Sequence, residues 1–284
     1  MERRVVRRSQ AFFSAPDGTR LFRRAWMPPM AQRALAVVHG FAEHSGRYDH
    51  VGAWFAAREF AVHAYDQRGH GRSDGTRGHV ESFSHLLDDL ESFLDVVRRE
   101  HPELPLVLLG HSMGGLVTTA LLAERKPDLL GAVVTGPPLE LGRGVSRTKL
   151  RFARLLRGVA PTLRLRAGID SSDLSRDAEV VKAYDDDPLV FRRASASLAA
   201  ELLDTVARTA GAGVHVHVPM LLLHGEADRL CPPRGTRNFH GLLRGAGHRL
   251  RVYPKLRHEI LNEPEQEQVF EDVLAWVQER EAES

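Results

Sequence analysis

Short continuous apolar runs alternate along the chain with stretches that repeat apolar residues every three or four positions. The runs fall at 34–38, 60–65, 104–109, 130–135, 220–223 and 250–253. Runs of this length, without polar alternation, suit strands covered on both faces in a parallel sheet. Between them, 47–59, 82–99, 115–125, 234–243 and 264–280 carry helical spacing. In the last of these, Val269, Val273, Trp276 and Val277 form one stripe, and Pro264 suits a first helical turn. Residues 10–26 read as a hairpin about Pro16-Asp17-Gly18. The alternation predicts the α/β class: a mostly parallel central sheet flanked by helices. The pattern breaks once, between Pro138 and Val218, where helical texture continues without an apolar strand run. The expected organisation is one core in two parts, 1–138 and 218–284, with a helical cap inserted at 139–217.

Composition narrows the class. The chain has 284 residues, 43% hydrophobic and 27% charged, which allows a large core. A net charge of +2 is too balanced for an obligate nucleic-acid binder. The single cysteine, Cys231, permits no intrachain disulfide and fits a reducing, cytoplasmic setting. The basic first eight residues are not followed by the apolar segment of a secretory signal. No run reaches the roughly 18 apolar residues of a membrane span.

Candidate chemistry centres on Gly110-His111-Ser112-Met113-Gly114. It follows an expected strand and opens an expected helix, the two contexts that G-x-S-x-G requires. Glycines at both ends allow close chain approach, so Ser112 can sit exposed on a sharp turn as a nucleophile. A serine needs a base, and the base an orienting acid, in the chain order Ser, acid, His. Asp228 lies just past the run at 220–223 and is the expected acid, with Glu226 as the competitor. His258 lies past the run at 250–253 and is the expected base; His248 precedes that run and should lie on the opposite rim. Among 15 histidines, position alone singles out His258. The oxyanion donors expected are the backbone amides of Met113 and of Phe41, in the loop after 34–38. No His, Cys and carboxylate cluster has metal-ligand spacing, so neither metal nor cofactor is expected.

With these residues placed, the sequence resembles the monoacylglycerol lipase branch of the α/β-hydrolase superfamily of serine hydrolases. The likeness runs through His39-Gly-Phe-Ala-Glu-His-Ser-Gly-Arg-Tyr48, Asp66-Gln-Arg-Gly-His-Gly-Arg-Ser73 and Gly110-His-Ser-Met-Gly-Gly115. It continues in Tyr184-Asp-Asp-Asp-Pro-Leu189, Gly225-Glu-Ala-Asp-Arg-Leu-Cys231 and Lys255-Leu-Arg-His258. It implies the α/β-hydrolase fold with a cap, a Ser112–Asp228–His258 triad, and cleavage of monoacylglycerol to glycerol and a fatty acid. It further places Glu43, Arg47, His111 and Tyr184 at the substrate's polar end. Glu43 and Arg47 are also four apart and could simply pair at a helix start. Phe41 departs from the smaller residue common at its position, which bears on pocket shape. Cys231 is expected to be accessory, either a small buried residue or a thiol near the pocket. Asp66 and His70 read as structural.

The expected cap carries a basic amphipathic stretch. On a helix over 147–159, Thr148, Phe152, Leu155, Leu156 and Val159 share one face; Arg147, Arg151, Arg154 and Arg157 share the other. From Arg143 to Arg166 there is no acidic residue. The apolar face could pack on the core under a solvated Arg face, or meet an anionic membrane or micelle surface, and a lid could do both. Lysophospholipase or general carboxylesterase activity would use the same triad. A hydrolase-fold binding protein without catalysis is the alternative of another class.

Overall fold

A computed structural model of the chain describes residues 5–140 and 147–283, with side chains from residue 151 onward in the second stretch. The first part of the core contributes β1 (Arg7–Ser14), β2 (Arg20–Met27), β3 (Arg33–Val38), β4 (Phe60–Tyr65), β5 (Leu106–His111) and β6 (Gly131–Thr135). Helices α1 (Asp49–Ala56), α2 (Ser84–Glu100) and α3 (Met113–Glu124) lie between them. After β6 come α4 (Arg147–Val159), β7 (Arg164–Arg166), α5 (Ala178–Asp186), β8 (Arg193–Ser195) and α6 (Ala196–Thr209). The chain then returns to the sheet with β9 (Met220–Gly225), α7 (Pro233–His240), β10 (Arg249–Tyr253) and α8 (Gln266–Glu283).

The large sheet has the order β1-β2-β4-β3-β5-β6-β9-β10. The β1/β2 hairpin and the β2/β4 pair are antiparallel; every pairing from β4 to β10 is parallel. All residues of β3, β4, β5, β6 and β9 are buried, as strands between two helical layers must be. One face packs Val51 and Phe55 of α1 with Val273, Trp276 and Val277 of α8. The other packs Leu90 and Phe93 of α2 with Leu116 and Val117 of α3. Each such enclosed side chain contributes roughly 1.5–3 kcal/mol of transfer free energy. The parallel strands all point their C-terminal ends at one rim, where such sheets place their sites.

Several boundaries differ from the periodic reading. Ser45–Tyr48 forms a 3₁₀ turn, so α1 starts at Asp49 instead of at Arg47. Pro264 lies in the turn before α8 instead of in its first helical turn. Between β6 and β9, β7 and β8 pair as a small antiparallel ribbon that no apolar run announces.

Most of the expected apolar face of α4 points away from the core. Phe152, Leu155 and Val159 are 59%, 60% and 71% exposed, continuing into the exposed Leu163 and Leu165. Arg154 and Arg157 instead turn to Asp204 and Glu201 of α6. These pairs lie at the exposed edge of the α4/α6 contact, while Leu156 is half-buried. Arg143 and the side chains of Arg147, Thr148 and Lys149 lie outside the described residues.

Candidate active site

The turn from β5 into α3 carries Ser112 at φ 51°, ψ −118°. This left-handed backbone is rare for a residue with a side chain and costs of order 1–3 kcal/mol, so the surroundings must enforce it. They do: the Ser112 amide donates to the Thr135 carbonyl at 2.9 Å, and its own carbonyl accepts the Leu116 amide at 3.0 Å. Gly110 makes the turn fit, since a Cβ there would stand 2.4 Å from Thr118 Oγ1 and 2.5 Å from the Gly114 carbonyl oxygen.

Asp228 sits in the turn after β9, and His258 in the loop after β10. His258 Nε2 lies 2.9 Å from Ser112 Oγ, and His258 Nδ1 lies 2.7 Å from Asp228 Oδ2. Three residues remote in sequence thus form one hydrogen-bonded line on the C-terminal rim. Burial would raise the Asp228 pKa, but the neighbouring His258 and His224 hold it well below the usual carboxylate range. Burial would lower the His258 pKa, yet the charge and hydrogen bond of Asp228, with Glu259 and Glu43 behind, lift it above its ordinary value. Glu226 is exposed and pairs with Arg237 of α7, away from His258. His248 accepts the Met220 amide at the start of β9, on the opposite rim.

The loop expected to supply an oxyanion donor follows β3. Gly40 lies against Ser112: a Cβ there would be 3.2 Å from Ser112 Cβ. Phe41 comes next, its ring meeting His70 and Phe191 edge-on at 6.1 and 5.3 Å between centroids. Met113 opens α3, where an amide has no acceptor within its own helix. The loop is pinned from below. The buried His39 ring contacts the Gly40 carbonyl at 2.7 Å and accepts the Gln67 amide at 2.9 Å. Asp66 accepts the amides of Ser45 and Arg72, each at 2.8 Å, holding the adjoining turns.

Beside the line of three lies a buried ionic group. Glu43 accepts the Gly40 amide at 2.6 Å and the Tyr48 hydroxyl at 2.8 Å. Arg47 bonds Glu43 at 2.7 Å and forks onto Glu259 at 2.6 and 2.7 Å, with its guanidinium over the Tyr184 ring. The i, i+4 pairing of Glu43 and Arg47 is therefore realised, but with Glu259 as a third member. Burial works against all three charges. Arg47 nonetheless carries Glu259 down to about 2, and Glu259 and Glu43 together lift Arg47. His111 is 3% exposed, its ring 4.9 Å from that of His258 and its Nδ1 on Thr135 Oγ1 at 2.9 Å. Burial, and then His258, lower its pKa to about 4.

Sequence reasoning missed Glu259 and His224. Glu259 adjoins His258, but adjacency does not reveal a partner 212 positions away. His224, in Leu223-His-Gly225, ends 3.0 Å from Asp228 Oδ2. Cys231 is buried, and burial followed by the charge of Asp228 raises its thiol pKa, so the thiolate is disfavoured. Its backbone matters more, because its amide donates to Asp228 Oδ1 at 2.8 Å.

Among the described residues, one group has metal-ligand proximity that the spacing did not reveal. Donor atoms of His63, Glu100 and His101 lie within 4.8 Å of one another. Arg23 already forks onto that carboxylate, and the two imidazoles face each other at 3.0 Å. His63 lies in β4 and His101 follows the end of α2, so the group is apart from Ser112.

Residues 29–265 match the family described as Serine aminopeptidase, S33. The chain is 36% identical over 272 residues to the monoacylglycerol lipase of Mycolicibacterium smegmatis, covering 95% of this chain and 97% of that protein. It is 38% identical over 272 residues to the monoglyceride lipase of Homo sapiens, covering 94% and 89%. The crystal structure of a monoacylglycerol lipase from Paleococcus ferrophilus matches the fold with a TM-score of 0.80 and 29% identity, over 97% of this chain and 99% of that one. With its sheet order, its strained serine turn and these relatives in view, the chain belongs to the monoacylglycerol lipase family of the α/β-hydrolase superfamily.

Proposed function

We propose that the protein is a carboxylic ester hydrolase that cleaves monoacylglycerol to glycerol and a free fatty acid through an acyl-enzyme. The observation that carries the reading is the Ser112–His258–Asp228 line, at 2.9 and 2.7 Å, within a chain of this family. Ser112 Oγ attacks the ester carbonyl while His258 Nε2 takes its proton. Asp228 keeps the remaining proton on Nδ1 and stabilises the imidazolium. The Phe41 and Met113 amides receive the oxyanion, each worth about 3 kcal/mol in the transition state. His258 then protonates the leaving glycerol oxygen, and water activated by the same ring releases the fatty acid. Glu43, Arg47, His111 and Tyr184 border the polar end, with the buried ionic group as its rigid wall.

Residues 139–217 act as the cap in this reading. The outward row Phe152, Leu155 and Val159 is the surface that would rest on a micelle or bilayer, where the substrate is dissolved. Among the described residues no helix is long and apolar enough to cross a membrane.

A panel of monoacylglycerols, lysophospholipids, short aryl esters and aminoacyl amides tests the substrate class. Monoacylglycerol turnover that leads the panel and disappears in Ser112→Ala is the expected result. Turnover of short aryl esters alone would overturn the substrate assignment. Equal turnover in Ser112→Ala would overturn the mechanism.

A further inference from the structure

Asp228 is held by more than its base. Oδ1 accepts the amides of Leu230 and Cys231, each at 2.8 Å. Oδ2 accepts from His258 Nδ1 at 2.7 Å and faces His224 Nε2 at 3.0 Å. His224 is the penultimate residue of β9 and is wholly enclosed. Its Nε2 also lies 2.9 Å from the Cys231 carbonyl oxygen. Both neighbours of that nitrogen, a carboxylate and a carbonyl, can only accept. Nε2 therefore carries a hydrogen and donates it. On the far side of the ring, Nδ1 meets Thr236 Oγ1 of α7 at 2.8 Å. The imidazole spans the acid's turn and α7, and cannot rotate without breaking a contact at either end.

We propose that His224 is a positioning residue of the triad: its Nε2–H locks the Asp228 carboxylate in the rotamer that meets His258 and draws off part of the charge presented to that base. The proposal rests on the triad reading above. An ionised carboxylate offers about four acceptor sites; here three have a donor of their own and the fourth shares the His224 Nε2–H with the Cys231 carbonyl. Without His224, one site of a buried oxygen is left empty and the carboxylate is held on one side only. A carboxylate with one donor fewer is more basic, and so grips the His258 imidazolium proton more tightly. The other groups facing this pair are the His111 ring, the Glu43–Arg47–Glu259 group and the Cys231 thiol. None of them contacts His224 by hydrogen bond through its side chain, so substitution at 224 leaves their contribution in place.

The test is the pH dependence of covalent labelling of the full chain by a fluorophosphonate, which reads Ser112 activation without depending on substrate class. His224→Leu removes the donor. His224→Gln returns an N–H near the position of Nε2, whereas His224→Asn is too short to reach Asp228 and serves as the polar control if the leucine variant does not fold. Labelling about tenfold slower at pH 7 is expected for the leucine and asparagine variants. Their acid limb should move to higher pH, with both effects reversed in H224Q. An acid limb that stays at the wild-type position in H224L and H224N, with only a lowered Tm, would overturn the proposal. Wild-type protein that resists the probe would instead overturn the triad reading itself.

Discussion

Gly114 leaves no room for a side chain. A Cβ there would lie 2.3 Å from the Val38 carbonyl oxygen and 2.5 Å from that of His39, both backbone atoms at the root of the loop after β3, the proposed oxyanion loop. Gly114→Ala must therefore push α3 and that loop apart. Overpacking of this kind costs about 1–3 kcal/mol. A displacement near 1 Å at the donors can cost about 10²-fold in rate. We expect G114A to fold with a Tm lowered by several degrees and kcat reduced about a hundredfold, with KM changed far less. Unchanged kcat in a destabilised protein would show that the oxyanion loop tolerates the shift. The positions of Ser112, Asp228 and His258 on one rim are legible in the sequence because each lies within five positions of the end of an apolar run, and strand ends in a parallel sheet share one rim. Glu259 and His224 are not legible in this way. Their roles depend on which side chain the loops turn inward, and no periodicity encodes that.

At the scale of elements, α4 shows where pattern reading reaches its limit. An amphipathic period states that a helix has two faces; it does not state which one meets the protein. Here Arg154 and Arg157 pair with Asp204 and Glu201 on α6, between segments more than forty positions apart, and no periodicity within α4 encodes those partners. The β7/β8 ribbon is invisible for a related reason: its strands have three residues each, too few to show alternation. The outward apolar row yields a prediction. Replacing Phe152, Leu155 and Val159 together by Ser should reduce partition onto phosphatidylcholine vesicles by at least tenfold, measured by sedimentation. Because two of the basic residues are already paired, added salt should weaken wild-type binding only modestly. Labelling of Ser112 in solution should be unaffected by the triple substitution. Vesicle binding that survives it would assign the contact to another surface.

At the scale of the whole molecule, folding encloses an unusual set of rings. His39, His63, His70 and His111 are all nearly inaccessible, and burial disfavours their charged forms. His63 and His70 are carried down to about 3 and His111 to about 4, from an ordinary value of 6.5. Below that ordinary value the unfolded chain takes up protons that the folded chain refuses, so stability rises with pH across the interval and falls as pH drops from 6.5 toward 4. His258 acts in the opposite sense: its raised pKa adds stability that is fully present below 6.5 and lost as pH rises through the folded value. Asp228 and Glu259, held below the carboxylate range, contribute stability that is lost only at lower pH. The first loss on acidification thus belongs to the histidines. At about 1.4 kcal/mol per proton per pH unit, these four refusals give a slope of at most about 6 kcal/mol per pH unit; the opposing His258 contribution to the slope falls above 6.5, since below it that ring is protonated in both states. Urea unfolding at intervals between pH 7 and 5 measures that slope. His63→Leu, which removes a ring in β4 remote from Ser112, should lower it by about 1.4 kcal/mol per pH unit while leaving the labelling rate of Ser112 unchanged. An equal slope in wild type and variant would mean that His63 can be protonated without unfolding.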